Sequence, residues 1–597
     1  MGNRVIVFGG GVAGLVAAGE LADRGFQVTV YEARHWGGKV RSMGKPGSGT
    51  DGRKDLPGEH GFHFFPSFYR HVPDTMRRIP RPEGGSVYDS LVDGTRELIA
   101  RTDDPPILMP STLPRSLAGW WGFFQALRAA ARGIPLAELI FFAGKTLQFM
   151  TACDERRIAE WDCLSWWDYV EADRMSYAYR ELIARLPPLL LIAVHPQRAS
   201  ARTLGNAFIS MLRAGLWPGG NIDRQLDGPP SDRWVDPWLA ALQKKAELVL
   251  GTQLTRLDFD ADAGKLRGAI IKNSDGGEQT VTADHYVVAL PVEIMTALLT
   301  PAMERAAPSL ASLHTLRVGW MNGLQLFLDR PFPVVHGHVA YEDTAWALTS
   351  VSQAQFWKAV DLTQFGDGRT REVFEVIISD WDAPGTEVVR KPARECSERE
   401  ILDEVVAQIQ ASLSRSGLPV LDRAWIVDAM IDPDIAFPAQ DTGLDPTAQK
   451  PEAPVDGMQR SQLFTADRFA DLLASGRVDR NAEPLYITTT GAWAARPDAT
   501  TAIPNLFLAS DYVRTTVDFA SAEGADEAGR RAANGVLAAA NSDHPRVRLW
   551  PRAEPRILAP LRMLDHHRFV RGQIQLTLPD WLEHLVRRLA QPPGRRL

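Results

Sequence analysis

Apolar and polar positions at the start of the chain follow the pattern of a strand, a helix and a second strand. Arg4–Phe8 and Gln27–Tyr31 are short apolar runs, which are typical of buried strands. Between them, apolar residues recur at helical spacing over Leu15–Arg24. This order predicts a βαβ unit with parallel strands, and therefore an α/β fold.

Glycines occupy the predicted turn between the first strand and the helix. Gly9, Gly11 and Gly14 fit the pattern G-x-G-x-x-G, and Glu32 follows the second strand about 20 residues further on. Gly9 permits a tight turn, Gly11 lets a pyrophosphate approach the backbone, and Gly14 lets helix and strand pack closely. The free N–H groups at the helix start favour phosphate. The pattern predicts dinucleotide binding, and Glu32 favours the unphosphorylated ribose of NAD or FAD.

A second glycine pair follows the acid. Gly37–Arg41 reads Gly-Gly-Lys-Val-Arg, and it resembles the segment that flavoproteins of the amine oxidase and carotene desaturase superfamily carry after the ribose acid. The plant and cyanobacterial type of carotene desaturase also has Gly-Gly-Lys-Val there. The resemblance implies that the nucleotide is FAD and that it is bound non-covalently.

The resemblance continues beyond this segment. Gly58–Tyr69 is similar to the desaturase stretch that passes along the flavin ring, which implies that Gly61 and Phe62 lie beside the ring. His60 and His63 would lie near it, and on position alone they are the candidates for proton transfer. A purely structural hydrogen-bonding role is the alternative for both histidines.

A second FAD motif is expected near the C-terminal end. Ile503–Asp511 is an apolar strand that ends in an acid, and Phe519–Ala525 opens a helix. The resemblance implies that Asp511 binds a ribityl hydroxyl and that the Ala522 amide faces the flavin. Ser521 is suited to cap the helix.

The complete set of residues implied for FAD combines these segments with the backbone near the adenine. The set is Gly9, Gly11, Val12, Ala13, Gly14, Glu32, Gly38, Lys39, Arg41, Gly61, Phe62, Leu254, Asp511, Ser521 and Ala522. The chain departs from the family pattern at Ser510, where glycine is usual, and we expect a tighter turn there without loss of binding.

The same resemblance implies a Rossmann-type FAD-binding domain interleaved with an α+β substrate domain, which has a helical part and an antiparallel sheet. The FAD-binding domain would comprise residues 1–106, 226–300 and 487–540. The substrate domain would comprise a helical segment, 107–225, and a sheet-containing segment, 301–486. Residues 541–597 would form a basic C-terminal extension.

Two segments raise the question of contact with lipid. Ile107–Met150 is aromatic and apolar with interspersed Arg and Lys; a buried helical pair is the preferred interpretation, and an interfacial pair facing anionic lipid is the alternative. Asp580–Ala590 predicts an amphipathic helix in a net-positive tail. That helix would anchor the protein to an anionic membrane, or pack on the body or on a second subunit. Pro438–Pro454 predicts a loop.

Composition narrows the class of protein. The 597 residues are 45% hydrophobic and carry a net charge of −7, which argues against nucleic-acid binding. The three cysteines lack metal spacing, and His336 and His338, predicted on one strand face, lack further ligands, so no metal is expected. The chain enters a strand at once, and no apolar run reaches about 18 residues, so we expect no signal peptide or membrane span. The expected location is cytoplasmic, with peripheral contact to the inner face of the membrane as a further option.

The resemblance implies an FAD-dependent oxidoreductase that acts on a long apolar isoprenoid or polyene, of the carotene desaturase or hydroxysqualene dehydroxylase type. Hydride would be exchanged with flavin N5. A redox-neutral double-bond isomerase is the alternative. Amine oxidation and a non-enzymatic prenyl-binding escort role are less favoured, because amine-oxidase pocket signatures are missing and the nucleotide motifs are intact. The expected partner is a lipophilic small molecule; the sequence leaves open the electron partner and the oligomeric state.

Overall fold

A five-stranded parallel sheet organises the computed structural model, which describes residues 3–101, 105–216, 218–437 and 480–576. The strand order is β21-β13-β1-β2-β9. The strands are β1 (Arg4–Phe8), β2 (Gln27–Glu32), β9 (Glu247–Leu250), β13 (His285–Val288) and β21 (Leu506–Leu508). They come from three distant segments of the chain, so this sheet closes only when both ends of the chain meet. The predicted loop at Pro438–Pro454 and the helix at Asp580–Ala590 lie outside the described residues.

Two helices pack together on this sheet. The first, α1 (Val12–Ala22), begins three residues before the predicted start, because the extended backbone of Gly11 forms its N-cap. The second, α16 (Ala522–Ala539), is capped by Ser521, as predicted. A Cβ atom on Gly529 would lie 2.4 Å from the Ala13 carbonyl oxygen, so the two helices touch backbone to backbone.

Gly251 divides the extended stretch at residues 247–260 into two strands. Gly251 has a φ of +78°, which separates β9 from β10 (Thr252–Asp260) and turns the chain into a second sheet. That sheet is antiparallel and adds β11 (Lys265–Asn273) and β12 (Glu278–Val281). The strands β11 and β12 form a hairpin whose turn contains Gly276, with a φ of +87° at that glycine.

A seven-stranded sheet of order β19-β15-β18-β17-β16-β6-β7 lies beyond the parallel sheet. Residues 301–486 supply β15 (Asn322–Leu328), β16 (His338–Tyr341), β17 (Leu348–Ser352), β18 (Glu372–Ile378) and β19 (Ile426–Ile431). Residues 96–110 add β6 (Arg96–Ala100) and β7 (Ile107–Pro110), which the sequence placed in other segments. One face packs on α14 (Glu398–Ser416) through a buried apolar core. Because β16 begins at His338, the predicted shared strand face of His336 and His338 is wrong.

Exposed apolar side chains distinguish α3 (Leu117–Ala130) and the start of α4 (Leu136–Thr151). Trp121 is 66% exposed, Phe124 58% and Ile140 62%, and only Ala126 of α3 is buried. The preferred prediction of a buried helical pair is therefore wrong for α3, although α4 buries Phe149 against α9 (Ala201–Leu216). In the described part of the chain, no helix is both long and apolar enough to cross a bilayer.

The described part of the C-terminal extension packs on the helical segment. In α17 (Ala559–Val570), the buried Asp565 carboxylate accepts hydrogen bonds from the Arg156 Nε atom at 2.9 Å and from the Cys153 N–H at 2.9 Å. Glu554 pairs with Arg157 and with Arg562. Residues 541–576 thus form part of the body of the protein.

The remaining elements are short or connect these layers. The strands are β3 (Ser42–Gly44), β4 (Pro57–Glu59), β5 (Leu91–Asp93), β8 (Arg224–Leu226), β14 (Arg317–Gly319) and β20 (Leu485–Ile487). The helices are α2 (His71–Arg78), α5 (Asp154–Trp161), α6 (Trp166–Tyr169), α7 (Tyr177–Tyr179), α8 (Leu186–Ile192), α10 (Asp236–Leu242), α11 (Val292–Leu298), α12 (Pro301–Ala306), α13 (Pro308–Ala311) and α15 (Ala492–Ala495).

Candidate functional site

A cavity of about 510 Å³ runs from the carboxyl edge of the parallel sheet to the seven-stranded sheet. Phe8, Glu32, Ala289 and Ser510 line it where parallel strands end, which is where open α/β sheets bind ligands. Most of the predicted site residues line it: Gly9, Gly11, Val12, Ala13, Glu32, Gly38, Lys39, His60, Gly61, Phe62, His63, Leu254, Asp511, Ser521 and Ala522. The tertiary structure therefore brings together residues that are far apart in the chain.

The two glycine segments form one end of this cavity. Gly11 caps α1 without a side-chain hydrogen bond, so the first N–H groups of the helix have no side-chain acceptor there. Gly11 forms a parallel bridge with Gly37, and a Cβ on Gly38 would lie 3.2 Å from the Gly11 Cα. Side chains at these positions would narrow the space in front of the helix.

Glu32 is held by backbone donors at the end of β2. Its carboxylate accepts hydrogen bonds from the N–H of Gly10 at 2.6 Å, of Arg34 at 2.8 Å and of His35 at 3.2 Å. This arrangement orients the carboxylate at the cavity wall, next to the turn that Gly9 and Gly11 make.

Two predicted residues lie behind the cavity wall. Gly14 packs against the turn that follows β1, since a Cβ there would lie 1.9 Å from the Gly9 carbonyl oxygen. The buried Arg41 guanidinium pairs with Glu483 at 2.9 Å and with Asp434 at 2.6 Å. Arg41 is not among the cavity-lining residues, so its predicted direct contact with the cofactor is replaced by a supporting position behind Glu483, which does line the cavity.

The second motif is held by a carboxylate that sequence reasoning passed over. The buried Glu523 carboxylate accepts hydrogen bonds from the N–H groups of Arg70 at 2.7 Å, His71 at 2.9 Å and Val72 at 3.0 Å. It therefore ties the start of α16 to the start of α2. Nearby, the Ser510 hydroxyl donates to the Asp511 carboxylate at 3.2 Å.

The loop that carries His60 and His63 brings both histidines into contact with buried acids. The Glu59 carboxyl lies 3.2 Å from the His63 Nδ1 atom, and His60 Nδ1 lies 2.6 Å from the Asp432 carboxylate. Burial raises the pKa of Glu59 to about 8 and lowers the pKa of His63 to about 4. Both groups are therefore uncharged at neutral pH.

Glu375 on β18 extends this polar group and was missed by sequence reasoning. Its two oxygens accept hydrogen bonds from the Gln325 and Gln353 amides, each at 3.0 Å. Burial, with a contribution from Glu59, raises the pKa of Glu375 to about 8. The signal available in the sequence was an acid inside the apolar run Val373–Ile378.

Comparison with known proteins identifies the family. The chain matches the family described as "Flavin containing amine oxidoreductase" over residues 12–457 and 475–537. It belongs to this family. The match spans most of the chain, so the protein is an FAD-dependent oxidoreductase.

Individual relatives support this assignment. The 15-cis-phytoene desaturase of Synechococcus elongatus is 24% identical over 556 residues, which are 90% of this chain and 96% of that protein. The carotenoid phi-ring synthase of Streptomyces griseus is 42% identical over 123 residues, 19% of this chain and 22% of that protein. The solved structure of cyclohexylamine oxidase from Brevibacterium oxydans has a TM-score of 0.52 at 13% identity, covering 90% of this chain and 99% of its own. The last similarity concerns the fold.

The residues present fit FAD. The start of α1 has no side-chain cap and no acid in its first turn, which leaves its N–H groups suited to a pyrophosphate. Lys39 adds a positive charge at the same end of the cavity, and Glu32 presents a carboxylate suited to a ribose. We expect the flavin to extend past Asp511 and Ser521 towards the loop at Gly61.

One group of metal-ligand side chains lies far from this cavity. Atoms of Cys153, Glu155 and His566 lie within 4.8 Å of one another, and the group is empty. Burial raises the pKa of the Cys153 thiol to about 12, which disfavours the thiolate that a metal needs.

We predict that Glu32→Ala weakens FAD binding by about 1.5–3 kcal/mol, because it removes a charge-assisted hydrogen bond to the ribose. Flavin retained after dialysis and released by acid precipitation provides the measurement, and release also tests non-covalent binding. Glu247→Ala, an exposed carboxylate on the neighbouring strand, serves as the control. Full flavin occupancy in Glu32→Ala would refute the assignment.

We also predict that the flavin-free protein loses stability as the pH rises from about 5 to 8. Over this range the folded state keeps the Glu59 proton, whereas the unfolded chain releases it near the ordinary value of 4.5. The unfolded state then binds fewer protons, so the free energy of unfolding falls by roughly 1 kcal/mol per pH unit for this carboxyl.

Glu59→Gln should flatten this slope in urea unfolding measured across the same pH range. Glu278→Gln, on the exposed strand β12, removes the same charge at the surface and should leave the slope unchanged. Equal slopes in the wild type and Glu59→Gln would contradict the buried, protonated state of Glu59.

Proposed function

We propose that the protein dehydrogenates a long apolar isoprenoid or polyene. The observation that carries this proposal is the apolar lining of the cavity beyond the nucleotide end, where Leu190, Leu191, Met211, Val339 and Ile377 contribute. A hydrocarbon chain gains about 25 cal/mol for each Å² of surface buried there. Two relatives, a phytoene desaturase and a carotenoid phi-ring synthase, favour a carotenoid among such substrates.

The charge state of the polar wall suits an apolar ligand. Glu59 and Glu375, with pKa values raised to about 8, and His63, with a pKa lowered to about 4, are neutral at pH 7. Ionised groups in their place would attract water and oppose hydrocarbon binding. At His63, the cavity wall and the two neighbouring acids, Glu59 and Glu375, therefore carry no net charge.

The roles of the chain follow from this arrangement. FAD, when bound, supplies the two-electron acceptor for a hydride from an allylic carbon. Leu190 and Leu191 on α8 and Met211 on α9 form the wall that excludes water. Ile377 lies under Gly61, since a Cβ on that glycine would lie 3.2 Å from the Ile377 Cδ1 atom. The loop backbone and the sheet thus limit the positions of a substrate in the cavity.

The activity can be tested with flavin-loaded protein and liposomes that contain 15-cis-phytoene or hydroxysqualene, with a quinone as electron acceptor. We predict products that differ by two hydrogen atoms per step, identified by mass analysis, and formed only with the acceptor. The Glu32→Ala protein, depleted of flavin, is the control. An isomer of unchanged mass, formed without acceptor, would support isomerisation instead. If the protein forms no product even when a membrane lipid extract is offered as the source of substrate, both activities are contradicted.

We further propose peripheral contact with a membrane through α3 and the start of α4. Leu117, Trp121, Phe124, Leu136 and Ile140 all point apolar side chains to the surface. Single exposed apolar residues are normal for a monomer, whereas several of them on two consecutive helices mark a surface that binds a protein or a membrane. A lipid-soluble substrate also requires a route from the bilayer. Arg115 and Arg128 accompany these residues and favour an anionic surface.

We predict that Trp121→Ser combined with Phe124→Ser lowers cosedimentation with anionic liposomes by about tenfold or more, because each side chain loses over 1 kcal/mol of apolar burial. Val388→Ser, at an equally exposed site packed beside α14, is the control. A chain ending at Leu576 tests the tail separately. Unchanged binding by the double variant, with loss in the shortened chain, would move the contact to residues 577–597.

A further inference from the structure

Glu97 projects from the seven-stranded sheet into the cavity. On β6, Leu98 and Ala100 belong to the core shared with α14, so the alternation along the strand turns Glu97 to the other face. The parallel register pairs Leu98 with Val339 and Ile99 with Ala340. Glu97 and His338 are therefore neighbours on one face, and both line the cavity.

The Glu97 carboxyl has no hydrogen-bond or ion-pair partner among the described residues. Within residues 3–101, 105–216, 218–437 and 480–576 it accepts no hydrogen bond and makes no ion pair. A polar group set in an apolar wall without a partner costs free energy, and such groups are rare unless they have a function. Since no described side chain engages it, the Glu97 carboxyl is available to act on a molecule bound in the cavity.

The groups around Glu97 are themselves fixed. The Asp223 carboxylate lies 2.8 Å from His338 Nδ1, and the Gln225 amide nitrogen lies 3.2 Å from His338 Nε2. Phe62 covers the imidazole, with ring centroids 4.6 Å apart. Asp223 and Gln225 thus hold His338 beside Glu97, while Glu97 alone remains free to contact a ligand.

The electrostatic surroundings place the ionisation of Glu97 in the neutral range. Burial, with a contribution from Asp223, raises the pKa of Glu97 to about 7, and His338 opposes the rise. Burial disfavours a charge on His338, but Asp223, Glu97 and Glu375 raise its pKa overall. A base is most effective when its pKa lies near the working pH.

Building on the proposed dehydrogenation, we propose that Glu97 is the general base that takes the proton leaving the substrate. One C–H bond breaks and its hydrogen leaves with the electron pair as a hydride, for which FAD is the oxidant. The adjacent C–H bond breaks, its electron pair forms the new C=C bond, and the proton passes to the Glu97 carboxylate. The protonated carboxyl then returns the proton to solvent.

Glu97→Gln keeps the shape of the side chain and removes the base. We expect the rate of a single turnover to fall on the order of 100-fold or more, with substrate affinity nearly unchanged. In the wild type, the rate should rise with pH through about 7 as Glu97 ionises, and this limb should be absent from Glu97→Gln. Glu97→Asp should recover part of the rate.

Glu372→Gln is the matched control. Glu372 is a buried acid on the same sheet, and its carboxylate accepts a hydrogen bond from Ser352 at 2.6 Å, away from the cavity lining. It should keep both the turnover rate and the pH limb. A Glu97→Gln enzyme as fast as the wild type, with the same pH profile, would overturn the role of Glu97 and leave the proposed dehydrogenation intact.

Infrared spectra of the flavin-free protein supply a readout independent of turnover. A protonated-carboxyl band should disappear as the pH rises through about 7 in the wild type and in Glu372→Gln, and be missing in Glu97→Gln. If the Glu97→Gln protein shows the same titrating band as the wild type, the inference is overturned. A wild type that titrates in this way but dehydrogenates no isoprenoid would instead overturn the proposed function, and the base role with it.

Discussion

The close approach of neighbouring backbone at two glycines is the constraint on which the rest of the structure depends. Gly14 lets α1 lie against the turn after β1, where a Cβ would come within 1.9 Å of the Gly9 carbonyl oxygen. Gly529 lets α16 lie against α1, where a Cβ would come within 2.4 Å of the Ala13 carbonyl oxygen. Any side chain at either site must separate these elements. The approach places the start of α1 at the sheet edge and joins the two ends of the chain around it.

Charge is distributed unevenly along the cavity that this contact creates. At the nucleotide end the groups are ionised and paired: Arg41 and Arg34 hold the pKa of Glu483 well below its usual range against the effect of burial. At the far end burial raises the pKa of Glu59 and of Glu375 to about 8, so both keep their protons at pH 7. The same fold thus offers paired charges to a dinucleotide at one end and, around His63, uncharged polar groups at the other.

The outer surface carries a related contrast. The described part of the C-terminal extension covers the helical segment with buried ion pairs, as between Arg156 and Asp565. Elsewhere on the surface, α3 leaves Trp121 and Phe124 open to solvent. Burying a charge requires a partner, and Asp565 supplies one. Exposing large apolar groups has a cost as well, which contact with lipid would remove.

The sequence by itself determined the βαβ unit, its glycine turn, Glu32 and the helix opening at Ser521. These features depend on local backbone needs and on short spacings, and the structure places Glu32, Asp511 and Ser521 in one cavity.

Only the tertiary structure decided the rest. Periodicity could not tell whether the apolar face of α3 meets protein or solvent, because both give the same pattern. The sequence placed Arg41 beside the cofactor, whereas its guanidinium pairs with Asp434 and Glu483 behind the cavity wall. Glu97 and His338 are 241 residues apart and meet through strand register. Pairing between distant strands, and the loss of water around an acid, depend on the packed whole, because no local segment contains both partners.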